Sequence, residues 1–190
     1  MTAITVRPGR LRDAAEEIER STGLRVQIIG GTLVMAPTPR GKHAGTVRLL
    51  RRQLEPALPG DLGAYEVSSI YMPGNEEDYV TPDLVVLPVD WDRDDEWLAD
   101  PREAAFAMEV ISNSEGVRAV ATKTDWYATA GVGVLLAVDP RAGVWTLYTR
   151  PRDNAYQGVL HGKYGEPIPL TAPLPAELQT SDLPLYTPKR

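Results

Sequence analysis

Apolar residues recur along this chain with two different periods, and the switches between them mark out its elements. Leu11, Ala14, Ala15 and Ile18 keep helical spacing within Pro8–Thr22, with Pro8 near the start and Gly23 suited to the stop. Two β-rich runs follow, Arg25–Ile29 and Thr32–Ala36, and the Gly30-Gly31 pair between them predicts a tight hairpin turn. After a loop over Pro37–Lys42, Val47, Leu50, Leu54 and Leu58 recur at three- and four-residue intervals, which predicts a second helix from about His43 to Leu58.

Ala64–Met72, Leu84–Leu87 and Ala105–Ile111 read as strands, each bounded by turn or charged residues. Between the last two, the acidic stretch Asp90–Pro101 reads as a surface insertion with one helical turn, pinned to the body by Trp91 and Trp97. Ser112-Asn113-Ser114-Glu115 has the form of a capping box ahead of a helix over Arg118–Ala130, which Gly131 terminates. Val134–Val138 is an apolar strand too short for a helix, and Asp139–Gly143 turns the chain into Val144–Arg150. A strand pair at Gln157–His161 and Ile168–Leu170 precedes a proline-rich tail that runs to Arg190. The order is therefore helix, three strands, helix, strand, in one domain over 1–190 with an extension from 151, and with no internal repeat.

Composition narrows the function classes. With 190 residues and 43% hydrophobic content the chain can bury one good core. The absence of cysteine removes disulfides, thiolate metal sites and thiol nucleophiles, and with only His43 and His161 to supply imidazole, zinc is not expected. No apolar run approaches the roughly 18 residues of a spanning helix, and the N-terminus lacks a signal-peptide pattern, so a soluble, cytoplasmic protein without membrane partners is expected. A net charge of −6 argues against a broad phosphate-binding surface. The charge is uneven, however: Arg40, Lys42, Arg48, Arg51 and Arg52 cluster early, either as a local basic face or as the solvated side of an amphipathic helix, while Glu76–Asp78 and Asp90–Glu96 are acidic.

The chemistry lies in two carboxylates and one ammonium. Pro82 fixes the backbone and withholds an amide donor, which predicts that Asp83 starts a strand at a sheet margin with its carboxylate toward a cleft. Glu109 sits in a strand otherwise made of Ala105, Phe106, Ala107, Met108, Val110 and Ile111, where an ionised group is costly without a partner, and a cation is a natural one. Val120, Lys123 and Tyr127 fall on one helical stripe, so Lys123 turns toward the sheet. Spacing fits either a catalytic trio or a buried Lys123–Glu109 salt bridge with Asp83 as a turn residue.

The ordered set resembles the PD-(D/E)XK nuclease superfamily, and within it the Uma-two branch of restriction-like endonucleases. The matching pieces are the hairpin Val26–Met35, Pro37-Thr38-Pro39, His43, Thr81-Pro82-Asp83-Leu84-Val85-Val86, Glu109-Val110-Ile111-Ser112, Lys123, Tyr127–Val132 and Val138-Asp139-Pro140, about three-quarters of the chain. The resemblance implies an α/β (α+β) fold with a restriction-endonuclease-like core at about 24–150, a central mixed β-sheet flanked by helices, and an N-terminal helix and hairpin. It implies an endonuclease hydrolysing phosphodiester bonds of nucleic acid, DNA above all, with Mg2+ or Mn2+ held by Asp83, Glu109 and the backbone carbonyl of Val110. The lysine expected two positions after the glutamate is replaced by Ile111, and Lys123 on the following helix stands in for it. Gln27 replaces an acidic residue of the first hairpin strand and Ala119 an aspartate one turn before the lysine, so one metal site at most is supported. Gln27 still offers a neutral oxygen to a cation or its water.

Three further residues have assigned expectations. His43 either orients the attacking water or contacts a phosphate, or is an ordinary helix-terminal histidine. Tyr127 is a packing residue that fixes the lysine, or a substrate contact. His161 is expected on the surface. The tail residues Leu183, Leu185 and Tyr186 suit either a homodimer contact or packing against their own domain. Two other functions fit the same residues: a non-catalytic nucleic-acid or protein-binding module on a nuclease scaffold, and a carboxylate-metal hydrolase of small phosphoesters.

Overall fold

The computed structural model describes residues 11–36, 38–93 and 95–187. Pro8, expected at the start of the first helix, Pro37 of the following loop and the end of the tail lie outside them. Helix α1 (Leu11–Thr22) leads into strands β1 (Arg25–Ile29) and β2 (Thr32–Ala36), joined as expected by Gly30 and Gly31 at φ 58° and 72°, the left-handed angles a two-residue hairpin needs. Helix α2 (Gly41–Leu54) stops before the expected Leu58, because Pro56 cannot continue it and the chain tightens into a 3-10 turn at Glu55–Ala57.

The run expected as one strand over Ala64–Met72 is two: β3 (Leu62–Tyr65) and β4 (Ser69–Met72), which belong to different sheets. Val67 between them has φ 65°, a conformation that ends the extended run and turns the chain from one sheet to the other. β5 (Asn75–Val80) is not legible as a strand because its acidic residues read as surface, yet it pairs with both β4 and β1. Then come β6 (Leu84–Pro88), a 3-10 turn at Val89–Arg93, β7 (Leu98–Ala99) and β8 (Phe106–Val110). Trp97 meets Tyr79 edge to face at 4.9 Å beneath the Arg12 guanidinium, and Trp91 packs on the core, so both tryptophans tie the insertion down.

Helix α3 (Val117–Ala130) ends at Gly131, whose φ of 87° lets its amide reach the carbonyls of Tyr127 and Ala128. Its N-cap is Gly116, not Ser112; the expected box forms only in part, with the Glu115 carboxylate accepting the Ser112 amide in the preceding turn. β9 (Val134–Asp139), β10 (Val144–Arg152) and β11 (Ala155–Lys163) complete the larger sheet, in the order β11-β10-β9-β8-β6-β3 with only the β8–β9 pair parallel. The expected pairing of Gln157–His161 with Ile168–Leu170 does not form: β11 pairs with β10, and β12 (Ile168–Pro169) pairs with β13 (Glu177–Leu178). The smaller sheet runs β2-β1-β5-β4-β7.

Strand alternation sorts the core into layers. Leu84, Val86, Phe106, Met108, Val110, Leu136 and Val138 face α2 and the C-terminal segment, whereas Val85, Leu87, Ala107 and Leu135 face α3. α3 lies between the two sheets, with Trp126, Tyr127 and Ala130 against Ile29, Ile70 and Val80 of the smaller one. α1 closes the far side of that sheet on Val26, Ile28 and Tyr79. The architecture is thus a mixed α/β fold with a central mixed sheet flanked by helices, as the sequence implied.

One buried carboxylate locks α3 to the smaller sheet. Asp78, on β5 and 4% exposed, accepts the Trp126 indole N–H at 2.6 Å and the Gly31 amide at 3.1 Å. Asp78→Ala strands both donors, and a urea titration should read a loss of roughly 2–4 kcal/mol. An unchanged midpoint would show that the bond does not hold the layers together.

Candidate active site

The same alternation that buries the even-numbered residues of β6 and β8 on α2 turns Glu109 toward α3 and sets Asp83, one residue before β6, beside it. The Asp83 amide donates to the Met108 carbonyl at 3.0 Å, so Asp83 joins the ladder of an interior strand pair rather than marking a sheet margin. Both of its oxygens are engaged: Oδ2 accepts the Val110 amide at 2.7 Å, and Oδ1 lies 2.9 Å from His43 Nε2 at the start of α2. His43 Nδ1 in turn lies 3.4 Å from the hydroxyl of Tyr186 in the tail.

Glu109 is held from α3. Residues four apart on a helix share a face, and Lys123 Nζ donates to Glu109 Oε2 at 2.8 Å while the Tyr127 hydroxyl donates to Oε1 at 2.6 Å. Tyr127 is a fully buried packing residue, as expected, and its hydroxyl fixes the glutamate. The side chains of Asp83, Glu109 and Lys123 are 18%, 14% and 16% exposed, recessed but still open to a ligand. Lys123 also lies 3.8 Å from Glu115.

The electrostatics follow from this crowding. Burial pushes the Glu109 carboxyl above its usual range; Lys123 draws it down, and Asp83 pushes it up again. For Lys123, burial pulls the ammonium down but Glu109, Glu115 and Asp83 outweigh it, so it stays charged. His43 behaves likewise: burial lowers it, and the bond to Asp83 with the charges of Asp83, Glu109 and Glu115 raises it past 6.5. Burial drives the Tyr127 phenol well above 10.0, which keeps its proton available to Glu109.

These groups form one wall of a cleft of about 750 Å³. Arg25 and Gln27 from β1, Arg40, Lys42 and His43 at the head of α2, the turn from Ser112 to Gly116, and Tyr186 with Thr187 complete it. Gln27 is 4% exposed, and its Oε1 is buried without a hydrogen-bond partner. Among the described residues no group of three or more His, Cys, Asp or Glu is arranged to hold a metal ion. Asp83, Glu109 and the unpaired Gln27 oxygen are all hard oxygen donors, and two carboxylates with water in the remaining positions fit magnesium or manganese.

The structure thus gathers Gln27, His43, Asp83, Glu109, Val110 and Lys123 along one cleft, with Tyr127 bonded to Glu109, whereas His161 is exposed on β11 with its Nδ1 3.0 Å from the Thr146 hydroxyl. It realises the Lys123–Glu109 ion pair and sets Asp83, in the bend before β6, in the same cleft. The basic cluster divides: Arg40 and Lys42 reach the cleft, while Arg51 pairs with Glu55 and Glu66. Sequence reasoning missed Glu115, read only as a cap, and the site role of Tyr186. Lys42 Nζ donates to the Leu185 carbonyl at 2.7 Å and lies 2.8 Å from the Thr187 hydroxyl, which docks the tail on its own domain. No periodicity in the tail signals that contact.

With this geometry in view, the comparisons identify the family. The chain belongs to the Uma2 family, whose model, described as "Putative restriction endonuclease", matches residues 13–185. Similar in structure is a protein of Anabaena variabilis ATCC 29413 described as "a putative nuclease belonging to DUF820", with a TM-score of 0.61 over 85% of this chain and 90% of that one. At 17% identity that likeness shows the shared fold. No curated protein matches the chain. Family membership supports a nuclease acting on nucleic acid, and among the described residues no helix is long and apolar enough to cross a membrane.

The turn that carries Glu115 depends on one guanidinium. Arg141 donates to the Glu115 carbonyl at 2.6 Å and is held by Asp139 through two bonds of 2.8 Å. Burial raises the Asp139 carboxyl, but the bonds from Arg141 outweigh it and hold the group below 3.8. A depressed folded value stabilises above the unfolded one, and that stability is lost as pH falls through the folded value. Arg141→Ala should cost about 1–2 kcal/mol at neutral pH. The gap to wild type in denaturant midpoint should narrow as pH drops below about 4. A gap independent of pH would exclude the Asp139 pairing as its source.

Proposed function

We propose that this protein is a metal-dependent endonuclease that hydrolyses phosphodiester bonds in nucleic acid at the cleft, with Asp83, Glu109 and Lys123 as its catalytic residues. The observation that carries the reading is the convergence, from three separate elements, of two recessed carboxylates and a charged ammonium in one cleft of a Uma2-family chain. Asp83 and Glu109 would hold magnesium or manganese, joined by the Val110 carbonyl and the neutral Gln27 oxygen. When bound, such an ion supplies Lewis acidity toward a phosphoryl oxygen and lowers the pKa of a coordinated water.

The chain's own groups do the rest. Lys123 supplies a fixed positive charge for the phosphate oxygens as negative charge develops on them. Its ammonium is already positioned by Glu109, so little reorganisation is needed. The Val110 amide and His43 fix the two oxygens of Asp83, and Tyr127 fixes Glu109. Positioning of this kind keeps the ligands in place against the approach of an anionic substrate. His43 and Tyr127 act through the carboxylates and not on the substrate.

One specific observation favours a second reading. All four oxygens of Asp83 and Glu109 are already in hydrogen bonds or ion pairs within the protein, as a non-catalytic nucleic-acid-binding module on this scaffold would have them. Two measurements separate the readings. With magnesium or manganese, cleavage of nucleic acid should fall by about 10²–10³ in Lys123→Ala, assayed where circular dichroism shows the variant folded. Cleavage surviving unchanged would remove Lys123 from the chemistry. Calorimetric titration of manganese should show binding to wild type that disappears in Asp83→Ala; binding absent from wild type would leave only the non-catalytic module.

A further inference from the structure

Resting on the nuclease reading, we propose that the substrate strand is unpaired, so that the cleft takes single-stranded nucleic acid in preference to a duplex. The first reason is depth. The reactive groups are recessed in a cleft lined also by the β1–β2 hairpin, the Ser112–Gly116 turn and the tail, with side chains less than one-fifth exposed. Duplex DNA is stiff, with a persistence length of about 50 nm, and carries its phosphates on a convex rod that cannot fold into such a recess. A single strand can bend a phosphate inward.

The second reason is capacity. About 750 Å³ is a volume on the scale of small-molecule sites, enough for a short run of a flexible strand. The third is charge. Among the described residues Arg25 and Arg40 line the cleft, whereas Lys42 is held by the tail and Glu115, 3.8 Å from Lys123, adds negative charge. In a chain of net charge −6, two guanidiniums suit the few phosphates of a short single strand better than the dense charge of a duplex. The fourth is apolar surface. Tyr186, half-buried, lines the cleft together with Val34, Ala36 and Pro39 and offers a ring for stacking.

The test is fluorescence anisotropy of the full chain in chelator, so that binding is read without cleavage. The probes are labelled oligonucleotides of about 12 nucleotides: single-stranded DNA, single-stranded RNA, and the DNA duplex of the same sequence. At least one single strand should bind about tenfold more tightly than the duplex, and which one binds identifies the sugar. The affinity should fall with salt with a log–log slope of about −1.4, reduced by about 0.7 in Arg40→Ala. Tyr186→Ala should weaken binding by about tenfold while Tyr186→Phe, which keeps the ring, binds like wild type. If Tyr186→Ala does not fold, the strand comparison and Arg40→Ala decide alone. Duplex bound as tightly as either strand, and cut once manganese is added, would overturn the strand preference and leave the nuclease reading standing. Neither bound nor cut in any form would overturn the nuclease reading itself.

Discussion

The Glu109 carboxylate, half-buried under α3 with one oxygen on the Lys123 ammonium and the other on the Tyr127 hydroxyl, is the interaction on which the site and much of the fold depend. Burial of an ion in that apolar company is costly unless every lone pair is met. Two residues of one helix meet it, so α3 must lie over β8 at a fixed rotation. That rotation is set from the other side by Trp126, whose indole reaches Asp78 of the smaller sheet while Tyr127 next to it faces the larger one. The rings of these neighbours stand nearly perpendicular, at 85°. Adjacent residues on α3 thus connect the two sheets, and the placement of Lys123 follows from the same geometry.

Asp83 is held independently. Its oxygens take the Val110 amide and the His43 ring, so that the carboxylate of one strand is fixed by the backbone of its neighbour and by the first turn of α2. Glu109 therefore belongs to the α3 side of the sheet and Asp83 bridges to the α2 side. The cleft opens where those two supports end. Tyr186 then reaches His43 across 143 residues of chain, and its phenol, pushed up to about 12 mainly by burial, remains protonated beside the carboxylates.

The site's polar composition is balanced in a particular way. Among the described residues Asp83, Glu109 and Glu115 line the cleft with Arg25, Arg40, Lys42 and Lys123, and Gln27 brings an oxygen without adding charge. Ala119, which also lines the cleft, likewise adds no charge to it. The second reading of the site as a non-catalytic binder draws on the same balance, because the protein's own donors already satisfy the carboxylates.

Much of this is written locally. Gly30-Gly31 fixes a hairpin, Gly131 fixes a helix end, and period-two alternation in Leu84–Leu87 and Phe106–Val110 separates the residues facing α2 from those facing α3. The helical stripe of Val120, Lys123 and Tyr127 turns the lysine toward Glu109 by spacing alone. What depends on pairing between distant segments is not legible. β5 hides its strand behind acidic residues, since Asp78 is tolerated in the core only because Trp126 and Gly31 arrive there. The run from Ala64 to Met72 reads as continuous because hydrophobicity does not report the left-handed turn at Val67. Residue order along the chain therefore specifies the helices, the hairpin, the central strands β6, β8 and β9 and the residue types of the site. Packing between distant segments alone settles that Tyr127 serves the glutamate, that Glu115 and Tyr186 enter the cleft, and that the tail closes on its own domain. Those contacts are made across the fold, where local spacing carries no information.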